Sequence, residues 1–179
     1  KPDLTDPKKA ADSQGSTPQV RYPKQYKSYG ADKSGKYENK QQKYPLGTVV
    51  DLNKADTSEL KCIPGIGSTY ATRIVKFRNL LGGFYSVAQL KEVYGIDEEK
   101  FDTLKEWFTV NENTLKQLLV NQLPEDSIRK HPYIDYRQAK VLVRLRKKIG
   151  KLSGWDNLLL LEEFTEADKS RLTPYLSFD

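Results

Sequence analysis

Two glycines flank an isoleucine at Gly65-Ile66-Gly67, inside the stretch LKCIPGIGSTYATRIVKFR of residues 60–78. The chemistry open to such residues is that of bare main chain. A turn between antiparallel helices often needs one residue at positive φ, which glycine adopts at little cost. A second glycine two positions on is not required by that geometry. It is explained if the backbone must lie against a partner that a side chain would hold off. The turn leads into a helical segment whose first amides lack internal acceptors and sit at the positive end of the dipole. Bare amides at a helix N-terminus form a nest for phosphate, and Ile66 would anchor the turn in the core.

A second candidate is the run RQAKVLVRLRKKIGK, which places Arg137, Lys140, Arg144, Lys147, Lys148 and Lys151 along one long helix. These cations fit either a second, salt-sensitive contact to an anionic partner or a solvated face with cations favoured near its C-terminus. His131, the only histidine, reads as a packing residue before the Pro132 turn. Cys62, the only cysteine, reads as a small buried apolar residue and excludes an internal disulfide or a cysteine zinc cluster. No Walker loop, Ser-His-Asp arrangement or clustered acidic set suited to a metal is present, so catalysis is not expected.

The chain of 179 residues has 37% hydrophobic residues and a net charge of +6. Residues 1–48 carry +5 of that charge, residues 49–111 carry −1 and residues 112–179 carry +2. The basicity suggests an anionic partner, but it lies mostly in the tail. No apolar run approaches the roughly 18 residues of a membrane span. Residue 1 is lysine and methionine is absent. A processed or truncated product is expected, from which a signal or anchor could have been removed.

These candidates must be positioned by a repeated unit. Shifting the sequence by 68 lays residues 49–111 on 117–179 without a gap: Asn53 on Asn121, Pro64 on Pro132, Ile66 on Ile134, Arg78 on Arg146 and Gly82 on Gly150. Each copy reads as four short helices. In the first, Asp56 caps a helix with Glu59 completing a capping box, and a longer helix runs from about Ser68 to Leu81. Gly82 and Gly83 stop that helix. Ser86 with Gln89 opens a third, and Asp97 caps a fourth reaching Trp107. The expected fold is all-α, with a tail over 1–47, unit 1 over 48–112 and unit 2 over 113–179. The tail is polar and proline-dotted, so it is expected to be disordered or extended. Its Tyr22, Tyr26, Tyr29, Tyr37 and Tyr44 alternate with lysines. They fit either a strand-binding arm or a solvated linker partly packed on the folded units.

The segment LKCIPGIGSTYATRI resembles the helix-hairpin-helix motif through Leu60, Ile63, Gly65, Ile66, Gly67, Ala71 and Ile74. The wider run VDLNKADTSELKCIPGIG…FRNLLGGFYSVAQLKEVYGI resembles the double helix-hairpin-helix domain of ComEA-type bacterial DNA-uptake proteins, a SAM-domain-like arrangement. Residues 49–179 look like tandem copies of it. The resemblance implies non-sequence-specific binding of duplex DNA, in competence or repair. The amides of Gly65, Gly67, Thr69 and Tyr70 would meet phosphate oxygens, with Ser68 beside them and Lys61, Arg73 and Lys76 adding ion pairs. It also implies a monovalent cation, Na+ or K+, on the carbonyls of Lys61, Ile63 and Ile66; no other cofactor is expected. The tail lies outside the resemblance, and its tyrosines and lysines make single-stranded DNA a further expected partner.

Three of the four hairpins depart from this pattern. Asp97 stands where the second glycine belongs, both glycines are replaced at Tyr133 and Asp135, and the turn around Phe164-Thr165 has none. These turns are expected to be structural. The glycosylase variety of the motif carries a catalytic aspartate downstream, and LLGGFYSVAQLKE has none. The alternative to DNA binding is a protein-interaction scaffold built from degenerate repeats. The compartment expected is the periplasmic side of a bacterial cell envelope if an N-terminal signal or anchor was removed, and the cytoplasm otherwise.

Overall fold

The computed structural model describes residues 42–179. The expected tail, with Tyr22, Tyr26, Tyr29 and Tyr37, lies outside the described residues apart from its last six positions. The described chain is mostly helical. It begins with β1 (Val50–Asp51), α1 (Thr57–Lys61) and α2 (Ser68–Leu81). A 3-10 segment (Val87–Glu92), α3 (Glu98–Leu104) and β2 (Phe108–Thr109) complete the N-terminal half. The C-terminal half repeats the succession: β3 (Leu118–Leu119), α4 (Glu125–Ile128), α5 (Tyr136–Ile149), α6 (Glu166–Leu172) and β4 (Leu176–Ser177). α2 and α5 are both 14 residues long and begin 68 positions apart.

Two-residue strands, too short to be visible as periodicity, tie the start of each half to its end. Val50 pairs in parallel with Phe108, and Leu118 with Leu176, again 68 positions on. Residues that recur at this offset do the same work. Asn53 Nδ2 donates to the carbonyls of Phe84 and Asn111 while its Oδ1 accepts the Phe84 amide. Asn121 does this with Leu152 and Phe178. Arg78 donates to the carbonyls of Leu52 and Ala55, and Arg146 to that of Val120, so both arginines close the ends of otherwise unpaired loops.

The expected helix pattern needs correcting at the third and fourth positions. The third segment is 3-10 in both halves, Val87–Glu92 and Trp155–Asn157. It is pinned at one end by the Ser86–Gln89 capping box and at the other by the Val93 amide on the Leu90 carbonyl, a span that favours the tighter turn. α3 stops at Leu104, and Lys105–Trp107 tightens to 3-10. Asp56 caps α1 by accepting the Ser58 and Glu59 amides, without the reciprocal bond expected from Glu59. Gly82 and Gly83 end α2 at positive φ, as expected.

The buried apolar residues of both halves belong to one cluster, which includes Leu60, Ile63, Ile66, Ile74 and Phe77 together with Ile128, Leu142, Leu172 and Tyr175. Buried polar bonds also join the halves. Tyr175 Oη donates to the Gly83 carbonyl, and Gln89 Nε2 donates to the phenolic oxygens of Tyr133 and Tyr175. Tyr133 Oη in turn donates to Glu92 Oε1 at 2.8 Å. Burial pushes the Tyr175 phenol up to about 12 and Tyr133 higher still. The Tyr133 amide donates to His131 Nδ1, which leaves the proton on Nε2 to reach the Leu81 carbonyl at 3.1 Å. His131 is 3% exposed, a packing residue as read from the sequence.

Candidate nucleic-acid interface

The turn between α1 and α2 is held from below by Ile63 and Ile66, both essentially buried. Its two glycines have different causes. Gly65 sits at φ +82, where a side chain is strained, and a Cβ there would come within 3.2 Å of Lys100 Nζ. Gly67 sits at φ −101 and ψ −179, extended backbone open to any residue, and a Cβ there would meet nothing within 4 Å. The protein itself therefore demands glycine at 65 and makes no demand at 67.

Gly67 is the N-cap of α2 and provides no side-chain acceptor. The amides of Gly67, Ser68, Thr69 and Tyr70 have no acceptor among the described residues, the ordinary condition of an uncapped helix start. The corresponding positions elsewhere are capped. Asp97 accepts the Lys100 amide, Asp135 the Gln138 amide and Thr165 the Asp168 amide, the last two as full capping boxes. Gly67, Ser68 and Thr69 are exposed and Tyr70 is half-buried.

The cations around this turn are arranged differently from the sequence expectation. Arg73 is half-buried and committed to the neighbouring hairpin: its Nη1 donates to the Tyr94 carbonyl at 3.0 Å, and its guanidinium lies 4.7 Å from the Tyr94 ring centroid. Lys76 is exposed one turn further along. Lys61 is half-buried, while Lys100, which sequence reasoning missed, brings its ammonium beside Gly65 and 5.2 Å from the Tyr70 ring centroid. Nothing in the local pattern around Lys100 announces this, because the approach is made by α3. Cys62 is half-buried, not buried as expected; its Sγ reaches the Ser58 carbonyl at 3.5 Å at the end of α1.

The carbonyls of Lys61, Ile63 and Ile66 do converge on one point, and the ammonium of Lys43 stands there. Lys43 Nζ donates to them at 2.6, 3.2 and 3.1 Å. The Tyr44 amide adds a bond to the Cys62 carbonyl at 2.8 Å. Among the described residues no group of three or more His, Cys, Asp or Glu is placed to hold a metal ion.

Residues 47–109 match the family described as helix-hairpin-helix motif. Over 64 residues the chain is 34% identical to ComE operon protein 1 of Bacillus subtilis (strain 168), covering 36% of this chain and 31% of that relative. Residues 47–109 are a helix-hairpin-helix segment of the ComEA-like kind. The chain thus spans about a third of the length of the curated relative it matches.

The match ends before the C-terminal half. There Arg137, Lys140, Arg144, Lys147 and Lys148 are all exposed along α5. Lys151 lies past the end of that helix, beyond Gly150, and not on it as expected. The turn at Pro132–Asp135, the positional equivalent of the helix-hairpin-helix turn, is packed against the N-terminal half. Arg171 stacks 4.1 Å from the Tyr133 ring centroid and reaches Glu92 at 3.4 Å. No helix among the described residues is long and apolar enough to cross a membrane.

Proposed function

We propose that this protein binds duplex DNA without reading its sequence, by offering the amides of Gly65, Gly67, Thr69 and Tyr70 to phosphate oxygens, with Ser68 at the edge. The observation that carries this reading is Gly67: glycine at a position where the fold needs none, at the one hairpin helix start without a capping side chain. Amides see phosphate geometry and no base edge, so they position the duplex without specifying it. Lys100, Lys61 and Lys76 surround the turn and supply the ionic part of the contact. A role in DNA uptake is the biological setting that the ComE operon relative favours.

The two halves read as tandem units of one kind, the first carrying the phosphate site and the second degenerate. In that reading the exposed cations of α5 and Lys151 add a weaker electrostatic contact, and the lysine- and tyrosine-rich tail is an arm suited to single strands. A salt-titrated binding assay with random-sequence duplex tests the proposal. With two or three phosphates neutralised, affinity should fall roughly 10- to 40-fold between about 50 and 200 mM salt. A flat response, or strong preference for one sequence over scrambled controls, would refute it. A protein scaffold is the second reading, favoured by the turn at 132–135 that is spent on packing the halves together.

A further inference from the structure

We propose that Lys43 is the resident cation of the hairpin: its ammonium fills the carbonyl cradle where a sodium or potassium ion would otherwise sit. The three ammonium hydrogens match the three carbonyls of Lys61, Ile63 and Ile66, so the full donor capacity of the ammonium is used. The neighbouring Tyr44 amide on the Cys62 carbonyl fastens the same strand to the end of α1. Residues 43–44 therefore strap the turn from the side of the tail, and the site carries its own charge.

The consequence for binding follows from peptide geometry. In a planar trans peptide the carbonyl and the following amide point in opposite directions. Holding the Ile66 carbonyl on Lys43 turns the Gly67 amide away from the ammonium, outward from the turn. Lys43 is then a positioning residue for the Gly67 amide, and its fixed positive charge behind the turn favours an anion in front. Removing it would leave three convergent carbonyls with no donor, a vacancy that a small inorganic cation can fill.

This rests in part on the proposed DNA binding, so the test has a readout independent of it. The full chain and its Lys43→Met variant are melted in potassium chloride and in tetramethylammonium chloride of equal concentration, since tetramethylammonium neither fits nor donates. The parent should melt at the same temperature in both salts. Lys43→Met should melt several degrees lower in tetramethylammonium and recover saturably as potassium or sodium is added. Duplex affinity should follow the same pattern, insensitive in the parent and weakened at least several-fold in the variant until potassium is supplied. A parent that needs potassium as much as the variant does, or a variant indifferent to the salt, overturns the inference. If the melting pattern holds and neither protein binds duplex, Lys43 stands as the resident cation and the DNA reading fails alone.

Discussion

The turns at 64–67 and 132–135 stand 68 positions apart in one repeated sequence pattern, and the helix starts they lead into are built differently. The first presents Gly65 at φ +82 and Gly67, an N-cap with no side chain to bond the first amides of α2. In the second, Tyr133 cannot share the Gly65 conformation, and no non-glycine residue among those described has positive φ. Asp135 Oδ1 accepts the Gln138 amide, while Gln138 Oε1 accepts the Asp135 amide. Tyr133 is buried against Gln89, Glu92 and Arg171. A helix start can serve a ligand only while nothing in the chain caps it. Capping it turns the same geometry into a joint.

The sharpest way to break the comparison is Gly67→Asp. The backbone is already extended there and a Cβ has open space, so the domain should fold. The new carboxylate would cap α2 and gain a few tenths of a kcal/mol over glycine. It would also compete for the amides and repel phosphate. Loss of a charge-assisted bond and the added repulsion should weaken duplex binding by about 2–3 kcal/mol, roughly 30- to 150-fold. Slightly higher melting with lost binding is the expected pair of results.

The closed turn should show itself in acid. Burial foremost, with Arg171 adding to it, holds His131 down at about 4, against 6.5 for a free histidine, although the Leu81 carbonyl pulls the other way. Below about pH 6.5 the unfolded chain binds a proton that the folded chain refuses. Stability conferred by the neutral ring is therefore whole above that pH and lost progressively down to about pH 4. The loss between pH 7 and pH 4.5 should reach roughly 2.4 kcal/mol, read from urea melts at those two pH values. His131→Gln should be less stable at pH 7 but flatter across this window; an equal slope would move the acid sensitivity elsewhere.

Smaller effects sharpen the contrast between the halves. Neutralising Arg144, Lys147 and Lys148 together should weaken duplex binding a few-fold and flatten its salt dependence by about one phosphate's worth. An unchanged salt slope would make that face solvated only. Asp135→Gly should change affinity less than about twofold, because Tyr133 still covers the turn, and should cost a few tenths to about 1 kcal/mol through the lost cap. A clear gain in binding would mean that the cap alone had closed the second turn.

Much of this contrast was legible in the sequence, because the offset of 68 aligns Gly67 with Asp135 and Asn53 with Asn121. Local rules gave the caps at Asp56, Ser86 and Asp97 and the glycine stop at Gly82, since those depend on neighbours in the chain. What stayed hidden depends on distant partners. Lys100 reaches Gly65 from another helix, and Arg73, read as a cation adding an ion pair to phosphate, donates to the Tyr94 carbonyl. Gln89, an apparent helix-cap residue, also binds two tyrosines of the other half. Lys43 lay in a stretch whose composition argued for a solvated tail, and only the converging carbonyls explain its place. The two-residue strands are too short for any alternation to register.

The central claim, that free amides at the start of α2 meet phosphate, is tested most directly by an amide-resolved NMR titration with a short random-sequence duplex. Shifts should concentrate at Gly65, Gly67, Ser68, Thr69 and Tyr70, fade as salt is raised, and spare Tyr133 to Gln138 across the equivalent turn. Shifts centred on the second turn, or on α5 with the Gly65–Tyr70 amides unmoved, would contradict it.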